Sequence, residues 1–242
     1  MVREFAGKME RAISGAENIV IVGHFNPDGD SVGSVTGMYY YLKELGKKAV
    51  VVLPSSYPEY LSFLDKDRDY LIFTKNPEKV AQAIEESDLI IGLDFNNLGR
   101  TEGVKNLFAA SSAQKILIDH HPNPERSSFD LICSTVDTSS TCELLFYVLM
   151  ETALVDNDIE KMPYRSAEGL ATGMLTDTNN FKNSSIASTY NMASLLLKRG
   201  ISLDDLGKRV FSSYSESRMR LMGEMLRNQM VVLKDLNAAY MV

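Results

Sequence analysis

The chain has 242 residues, of which 45% are hydrophobic and 24% charged, a composition typical of a globular protein with one large domain, or one domain and a smaller attachment. Its formal net charge of −7 argues against a protein that binds nucleic acid through a broad basic surface. No apolar run approaches the roughly 18 residues of a membrane helix, and Cys133 and Cys142 are too few for a disulfide framework, so we expect reduced thiols in a cytoplasmic protein.

The predicted elements alternate between strands and helices over the first half of the chain. A charged amphipathic helix over about residues 4–15 comes first, and it lacks the continuous apolar core of a signal peptide. Continuous apolar strands that alternate with helices indicate a doubly wound α/β fold, with a parallel sheet covered on both faces. The predicted strands are 19–23, 49–53, 70–73, 88–94, 115–118 and 130–133, and the helices between them are about 31–45, 76–86 and 99–110.

After about residue 138 the pattern predicts only helices, followed by the start of a new sheet. Two short apolar segments at 231–233 and 238–242 read as strands, and two strands alone are marginally stable. We therefore expect the functional protein to be longer than this chain. The predicted helices are about 139–152, 158–175, 186–199, 202–213 and 215–229.

The first predicted strand leads into the stretch GHFNPDGDSVGS, which carries His24, Asp28 and Asp30 on the predicted loop before the next helix. Open α/β sheets bind their ligands at the ends of strands. Carboxylates two residues apart repel each other unless they share a cation, so the loop predicts half of a metal site. The alternative is a surface turn, because Asn-Pro-Asp-Gly is ordinary turn chemistry and Asp30 is an ordinary N-cap.

Three further stretches carry candidate ligands. Asp94 ends the fourth predicted strand, Asp119, His120 and His121 follow the fifth, and Asp177 lies in the later stretch TDTNNF. Taken singly, either of the carboxylates Asp94 and Asp177 could cap a helix, and the two histidines could be turn residues. However, the chain has only three histidines, and all lie at predicted strand ends. The carboxyl ends of parallel strands lie along one edge of a sheet, so we expect the strand-end groups to converge.

Carboxylates combined with imidazoles favour hard or borderline divalent ions such as Mn²⁺ and Mg²⁺. Roughly six ligands are too many for one ion with an open position, and they suit two ions some 3.5–4 Å apart that share a bridging carboxylate. Such a pair supports the hydrolysis of phosphoesters or phosphoanhydrides. A Rossmann dinucleotide site is excluded, because the first loop lacks G-x-G-x-x-G and carries carboxylates where a pyrophosphate needs bare backbone.

The stretches HFNPDGDSVGS, the strand end at Asp94, DHHP and TDTNNF resemble the successive motifs of the DHH phosphoesterase superfamily, over about residues 15–190. The chain is most similar to the branch of bacterial nanoRNases and 3′-phosphoadenosine-5′-phosphate phosphatases, which includes exopolyphosphatase-related proteins. The resemblance implies a hydrolase of short oligonucleotides or phosphorylated nucleotides that uses two Mn²⁺ ions, with Mg²⁺ as the alternative metal. The other candidates are an inorganic pyrophosphatase or polyphosphatase of similar core, and a nucleotide-binding module without turnover.

The resemblance also assigns roles to individual residues. Asp119 would orient His120 by accepting a hydrogen bond from the ring nitrogen that does not bind the ion, and His121 would face the phosphate being cleaved. Apart from the resemblance, Asn26 and Arg100 are candidate substrate contacts, and Arg100 could equally be an exposed structural arginine. The implied ligands are His24, Asp28 and Asp94 for one ion and Asp30, Asp94, His120 and Asp177 for the other, with Asp94 as the bridge.

For the domain organisation, the resemblance implies a DHH domain over residues 1–200, a helical linker over 201–229, and the beginning of a DHH-associated, substrate-binding domain over 230–242. In similar proteins that second domain carries a glycine-rich motif with a substrate-binding histidine, and no histidine follows His121 here. Kinship further suggests a homodimer, and the lack of a long apolar run suggests no membrane partner.

Overall fold

The structure, a computed structural model, describes residues 2–242 and has a six-stranded sheet at its centre. All neighbouring strands of this sheet are parallel, in the order β3-β2-β1-β4-β5-β6. Each strand lies within one residue of its predicted bounds, because continuous apolar runs are a strong local signal. The strands are β1 (Asn18–Val22), β2 (Lys48–Leu53), β3 (Leu71–Ile72), β4 (Leu89–Leu93), β5 (Gln114–Asp119) and β6 (Leu131–Ser134).

Each predicted helix is present, with ends that differ by up to five residues, and two of the helices differ further. Glu102, at φ 41°, interrupts the helix predicted over 99–110, which forms a 3₁₀ segment and then a short α-helix. The helix predicted from 158 begins at Tyr164, because Pro163 disfavours helical geometry in the residue before it. The helices are α1 (Val2–Gly15), α2 (Gly29–Glu44), α3 (Pro77–Glu85), α4 (Lys105–Ala110), α5 (Thr141–Met150), α6 (Tyr164–Asp177), α7 (Ala187–Lys198), α8 (Leu203–Phe211) and α9 (Glu216–Glu224).

Different helices cover the two faces of the sheet, which confirms the doubly wound fold. Successive side chains of a strand point to opposite faces, so Ile19 and Ile21 pack in a core with α1, α2, α5 and α6. Val20 and Val22 pack on the other face with residues of α3 and α4. From β1 the strand order runs in two directions: β2 and β3 lie on one side of β1, and β4, β5 and β6 lie on the other. The crevice between β1 and β4, where the order changes direction, is where such sheets bind ligands.

The helices α2 and α6 cross at very short range through glycines. A Cβ atom at Gly33 would lie 2.5 Å from the carbonyl oxygen of Gly169, so only hydrogen fits there. A Cβ atom at Gly173 would overlap the sulfur of Cys142 and lie 2.9 Å from Oδ1 of Asp30. This close approach sets the first turn of α2 beside the last turn of α6.

The C-terminal elements differ in how they pack. Leu206 and Val210 of α8 are buried against the preceding domain, so the predicted linker begins with a packed helix. By contrast, α9 and the antiparallel strands β7 (Met230–Leu233) and β8 (Ala238–Met241) have no buried residue. The division into domain, linker and second domain stays a prediction. Cys133 and Cys142 are free and buried, and none of the helices in residues 2–242 has both the length and the apolar character of a membrane span.

Candidate metal centre

The loop after β1 and the first turn of α2 contribute three candidate ligands. Asp28 is the N-cap of α2, since its Oδ1 accepts hydrogen bonds from the backbone amides of Asp30 (3.0 Å) and Ser31 (3.1 Å). The helix therefore begins two residues earlier than predicted, and Asp30 lies in its first turn, neither on the loop nor at the cap. His24 and Asp30 are buried, whereas the side chain of Asp28 is 60% exposed.

Asp94 follows β4 in the left-handed backbone region, at φ 66°. That conformation is unfavourable for a residue other than glycine, and such strain concentrates at functional sites. The hydroxyl of Thr141 donates a hydrogen bond to Oδ1 of Asp94 at 3.0 Å. The N-cap of the next helical segment is Asn97, so Asp94 does not serve as its cap.

The N-terminus of α5 holds the carboxylate of Asp30, an interaction that we did not predict. The backbone amides of Thr141 and Cys142 donate to its two oxygens at 2.7 and 2.9 Å. Free amides and the helix dipole make a helix N-terminus a favourable site for an anion. The sequence carried a signal for this helix start, because Ser140 and Glu143 have the spacing of a capping box, and Ser140 does cap α5.

Asp177 is the last residue of α6, so the alternative interpretation of Asp177 as an N-cap is wrong. A carboxylate at the C-terminus of a helix faces the negative end of the helix dipole, which is unfavourable. Burial, together with the negative charge of Asp94, raises the pKa of Asp177 to about 7. Burial and the charges of Asp94 and Asp177 likewise raise the pKa of Asp30 well above its usual range.

His24 presents one ring nitrogen to the carboxylates. Its Nδ1 lies 2.8 Å from the carbonyl oxygen of Phe25, which can only accept, so Nδ1 carries the donated proton. The Nε2 atom is then directed toward Oδ2 of Asp94 at 3.4 Å and Oδ1 of Asp28 at 3.8 Å, distances too long for hydrogen bonds. This nitrogen is buried and has no hydrogen-bond partner among residues 2–242.

His120 forms the second half of the cluster. Its Nε2 lies 3.5 Å from Oδ2 of Asp177, 3.7 Å from Oδ1 of Asp94 and 3.8 Å from Oδ2 of Asp30. The structure thus brings together two groups that could each hold a metal ion, and it places Asp94 between them. Within each group the ligand atoms lie within 4.8 Å of one another; the groups are His24, Asp28 and Asp94, and Asp30, His120 and Asp177. A third group that meets the same distance, Asp94, His120 and His121, shares one residue with each of them.

The donor set fits a divalent cation. Burial alone would lower the pKa of His24, but the carboxylates of Asp28 and Asp94 outweigh it and raise that pKa to about 10. Burial and mutual repulsion raise the pKa values of Asp30 and Asp177, so the carboxylates of the cluster leave an excess of negative charge that a cation relieves. Carboxylate and imidazole donors suit Mn²⁺ or Mg²⁺.

Asp119 contacts His121 and not His120, which corrects our prediction. Its Oδ1 accepts from Nδ1 of His121 at 2.8 Å, and its Oδ2 accepts from the backbone amide of His121 at 3.1 Å. Residues two apart at the end of a strand point to the same side, which brings these two side chains together. Nδ1 of His121 is also 3.8 Å from Asp94, but its bond to Asp119 makes His121 a poor candidate ligand.

The two candidate substrate contacts differ in their positions. Nη1 of Arg100 donates to Nε2 of His121 at 2.8 Å, so Arg100 lies at the rim of the cluster. Asn26 is exposed, and its backbone amide donates to Oγ of Ser55 at 2.7 Å. Arg100 is also tied to the first loop, because its carbonyl oxygen accepts from the amide of Phe25 at 2.7 Å.

Residues 18–174 match the model of the DHH family, N-terminal domain. The chain belongs to the DHH family. It is 31% identical over 210 residues to the bifunctional oligoribonuclease and PAP phosphatase NrnA of Thermus thermophilus, which covers 86% of this chain and 58% of the relative. It is 25% identical over 205 residues to the cyclic-di-AMP phosphodiesterase PdeA of Listeria monocytogenes, covering 82% of this chain and 30% of that relative.

Among solved structures, an exopolyphosphatase-related protein from Bacteroides fragilis superimposes with a TM-score of 0.90 and 37% identity, covering 98% of this chain and 68% of that protein. These similarities confirm the NrnA-like branch that the motifs predicted. This chain spans little more than half the length of the Thermus relative.

Proposed function

We propose that this protein is a phosphoesterase that uses two Mn²⁺ ions to hydrolyse short oligonucleotides, 3′-phosphoadenosine-5′-phosphate, or both. The observation that carries the proposal is the buried Nε2 of His24, which has no hydrogen-bond partner in the described part of the chain and faces the shared carboxylate Asp94. The name of the Thermus relative supports the substrate class. A cytoplasmic location and a homodimer remain predictions.

In the proposed reaction, an oxygen of water forms a bond to phosphorus while the bond from phosphorus to the leaving oxygen breaks, and the leaving oxygen takes up a proton. Divalent ions, when bound, supply positive charge for the phosphoryl oxygens and make water a better nucleophile at neutral pH. Among the residues of the chain, His24, Asp94 and His120 would hold that charge in place. The amides of α5 orient Asp30 before any substrate arrives.

His121 and Arg100 would bind the phosphate. Asp119 holds the proton of His121 on Nδ1, and this fixes the orientation of the ring. The guanidinium of Arg100 lies against the other edge of the same ring, and its planar fork of donors matches a phosphate. We expect the bond between Arg100 and His121 to open so that Arg100 donates to the phosphate. The contact with Asp119 raises the pKa of His121, and once a second proton is bound at Nε2 that atom donates to the phosphate as well.

The test measures product release from four substrates, with and without Mn²⁺: a 5′-labelled trinucleotide, 3′-phosphoadenosine-5′-phosphate, cyclic di-AMP and pyrophosphate. We expect metal-dependent release from one or both of the first two. Release from pyrophosphate alone would favour the inorganic pyrophosphatase, and release from cyclic di-AMP alone would favour the activity named for the Listeria relative. Binding of the trinucleotide in Mn²⁺ without release would favour the non-catalytic module.

Asp94→Asn is the decisive variant, because it removes the carboxylate shared by both groups. We expect turnover to fall by more than about 100-fold, beyond the typical effect of changing a residue that only supports a ligand. Asp67→Asn removes an equivalent charge from an exposed position away from the site and should leave turnover unchanged. Full activity of Asp94→Asn in saturating Mn²⁺ would rule out the two-ion arrangement.

A further inference from the structure

A cavity of about 280 Å³ opens directly beside the metal centre. One wall is formed by Asp28 and Asp177, which are candidate ligands. The lining also includes Tyr60 from the segment after β2, Phe211 and Tyr214 near the end of α8, and Arg218 of α9. Its volume is near the lower end of the range for small-molecule sites, about 300 Å³. A group attached to a phosphate at the metal centre would therefore enter this cavity.

The aromatic and basic residues of the lining have the chemistry of a stacking site. The guanidinium carbon of Arg218 lies 4.6 Å from the centre of the Tyr214 ring, so the two planar groups already contact each other. Tyr214 is 45% exposed, which leaves part of its ring available to a ligand. Arg218 forms no ion pair with a carboxylate among residues 2–242, whereas Arg220 on the same helix pairs with Glu216 at 2.7 Å.

Aromatic rings with a single cation suit a nucleobase better than a chain of phosphates. Bases that are not paired in a duplex stack on tyrosine rings and on arginine guanidinium planes. A polyphosphate would instead need several cations, and Arg218 is the one basic residue that lines this cavity.

We propose that this cavity binds the nucleobase attached to the phosphate at the metal centre, with Tyr214 and Arg218 as the stacking platform. The inference rests on the proposed function, since it names the part of the substrate that the chain recognises beside the reacting phosphate. It assigns Tyr214 and Arg218 to substrate specificity, and it leaves the bond-breaking step to the metal centre.

The test is equilibrium binding to the 242-residue chain in Mn²⁺, using adenosine 5′-monophosphate and ribose 5-phosphate, which differ only in the base. We expect the wild-type chain to bind the nucleotide roughly 10-fold more tightly or better, the usual effect of stacking one base. Tyr214→Ala should remove that preference and leave the affinity for ribose 5-phosphate unchanged. Tyr214→Phe should retain it, because the ring and not the hydroxyl makes the stack. Arg218→Ala should reduce the preference.

Two matched controls keep the interpretation specific. Arg220→Gln changes an arginine on the same helix that is already ion-paired, and Tyr190→Ala removes a tyrosine ring elsewhere that is 55% exposed, against 45% for Tyr214; both variants should keep the preference for the nucleotide. Equal affinity of the wild-type chain for the two ligands would overturn the proposal, as would a preference that survives Tyr214→Ala. A base preference in a chain that hydrolyses none of the four substrates would support the cavity and refute the proposed function.

Discussion

The first half of α2 and the strand pair β7–β8 are both regular elements, yet their surroundings are opposite. Every residue from Gly29 to Met38 is buried, against α6, α5 and the sheet. Every residue of β7 and β8 is exposed, including the apolar side chains of Val231, Val232 and Tyr240. The local sequence pattern is therefore enough to predict a helix or a strand. Whether that helix or strand is buried depends on other elements of the fold that pack against it.

The difference has a functional side. Asp30 and Asp177 approach each other because α2 and α6 cross through glycines, so the candidate metal centre depends on the most tightly packed part of the molecule. Exposed apolar side chains of the strand pair remove little area from water and contribute little to stability. Substitutions should therefore have very different effects in the two regions.

The largest effect is expected at the crossing of α2 and α6. Gly173→Ala introduces a methyl group that meets Cys142 and Asp30, so we expect a loss of about 1–3 kcal/mol in the free energy of unfolding and weaker Mn²⁺ binding. Gly7→Ala is the matched control, because nothing lies within 4 Å of a Cβ there and alanine should stabilise α1 by about 0.5–1 kcal/mol. For each variant, urea unfolding measures the free energy of unfolding and titration measures the affinity for Mn²⁺. Wild-type stability and Mn²⁺ affinity in Gly173→Ala would contradict this prediction, because they would show that the neighbouring side chains move to make room for the methyl group.

Thr141→Val tests the support that α5 gives to Asp94, the carboxylate shared by the two ligand groups. It removes the hydroxyl that donates to Asp94 and keeps the shape of the side chain. We expect a fall of about 10- to 100-fold in Mn²⁺ affinity or turnover, the usual effect of losing the partner of a ligand. Thr138→Val, on the loop before α5, is the control, because the hydroxyl of Thr138 only contacts a backbone carbonyl. Equal losses in the two variants would contradict this role.

The charges of the metal centre predict how stability depends on pH. The pKa of His24 is raised from 6.5 to about 10. The stability that protonated His24 contributes to the folded state is therefore complete below pH 6.5 and is lost as the pH rises toward 10. The metal-free chain should therefore have a lower Tm at pH 8.5 than at pH 6.5. The gain in Tm on adding Mn²⁺ should be larger at pH 8.5, because fewer protons compete for the ligands. An equal gain at both pH values would argue against binding at His24.

The smallest effect is expected in the strand pair. Val232→Thr changes an exposed side chain, and we expect the free energy of unfolding to stay within about 0.5 kcal/mol of the wild-type value. The same exchange at Val35, which is fully buried in α2, places a hydroxyl in the core and should cost about 1–3 kcal/mol. Thermal or urea unfolding of the two variants gives the contrast directly. A large loss in Val232→Thr would mean that the strand pair stabilises the domain.

The amino-acid sequence by itself determined the strands, their alternation with helices and the doubly wound class, because continuous apolar runs and helical periodicity are local signals. It also placed His24, Asp28, Asp30, Asp94 and His120 after strand ends, and Asp177 in a later stretch. The structure brings six of them into one cluster, namely His24, Asp28, Asp30, Asp94, His120 and Asp177. Residues that follow parallel strands share an edge whatever their separation in the chain, so the convergence of the five strand-end residues could be anticipated. That rule does not cover Asp177, which reaches the cluster from the end of α6.

Only the tertiary structure decided which side chains support the cluster. The amides of α5 reach Asp30 across 111 and 112 residues of sequence, and Asp119 orients His121 where kinship suggested His120. The glycine crossing of α2 and α6 and the cavity at Tyr214 likewise depend on elements distant in the chain. Periodicity reports which face of an element is apolar, but the atoms that meet at that face are decided by packing, to which every element contributes.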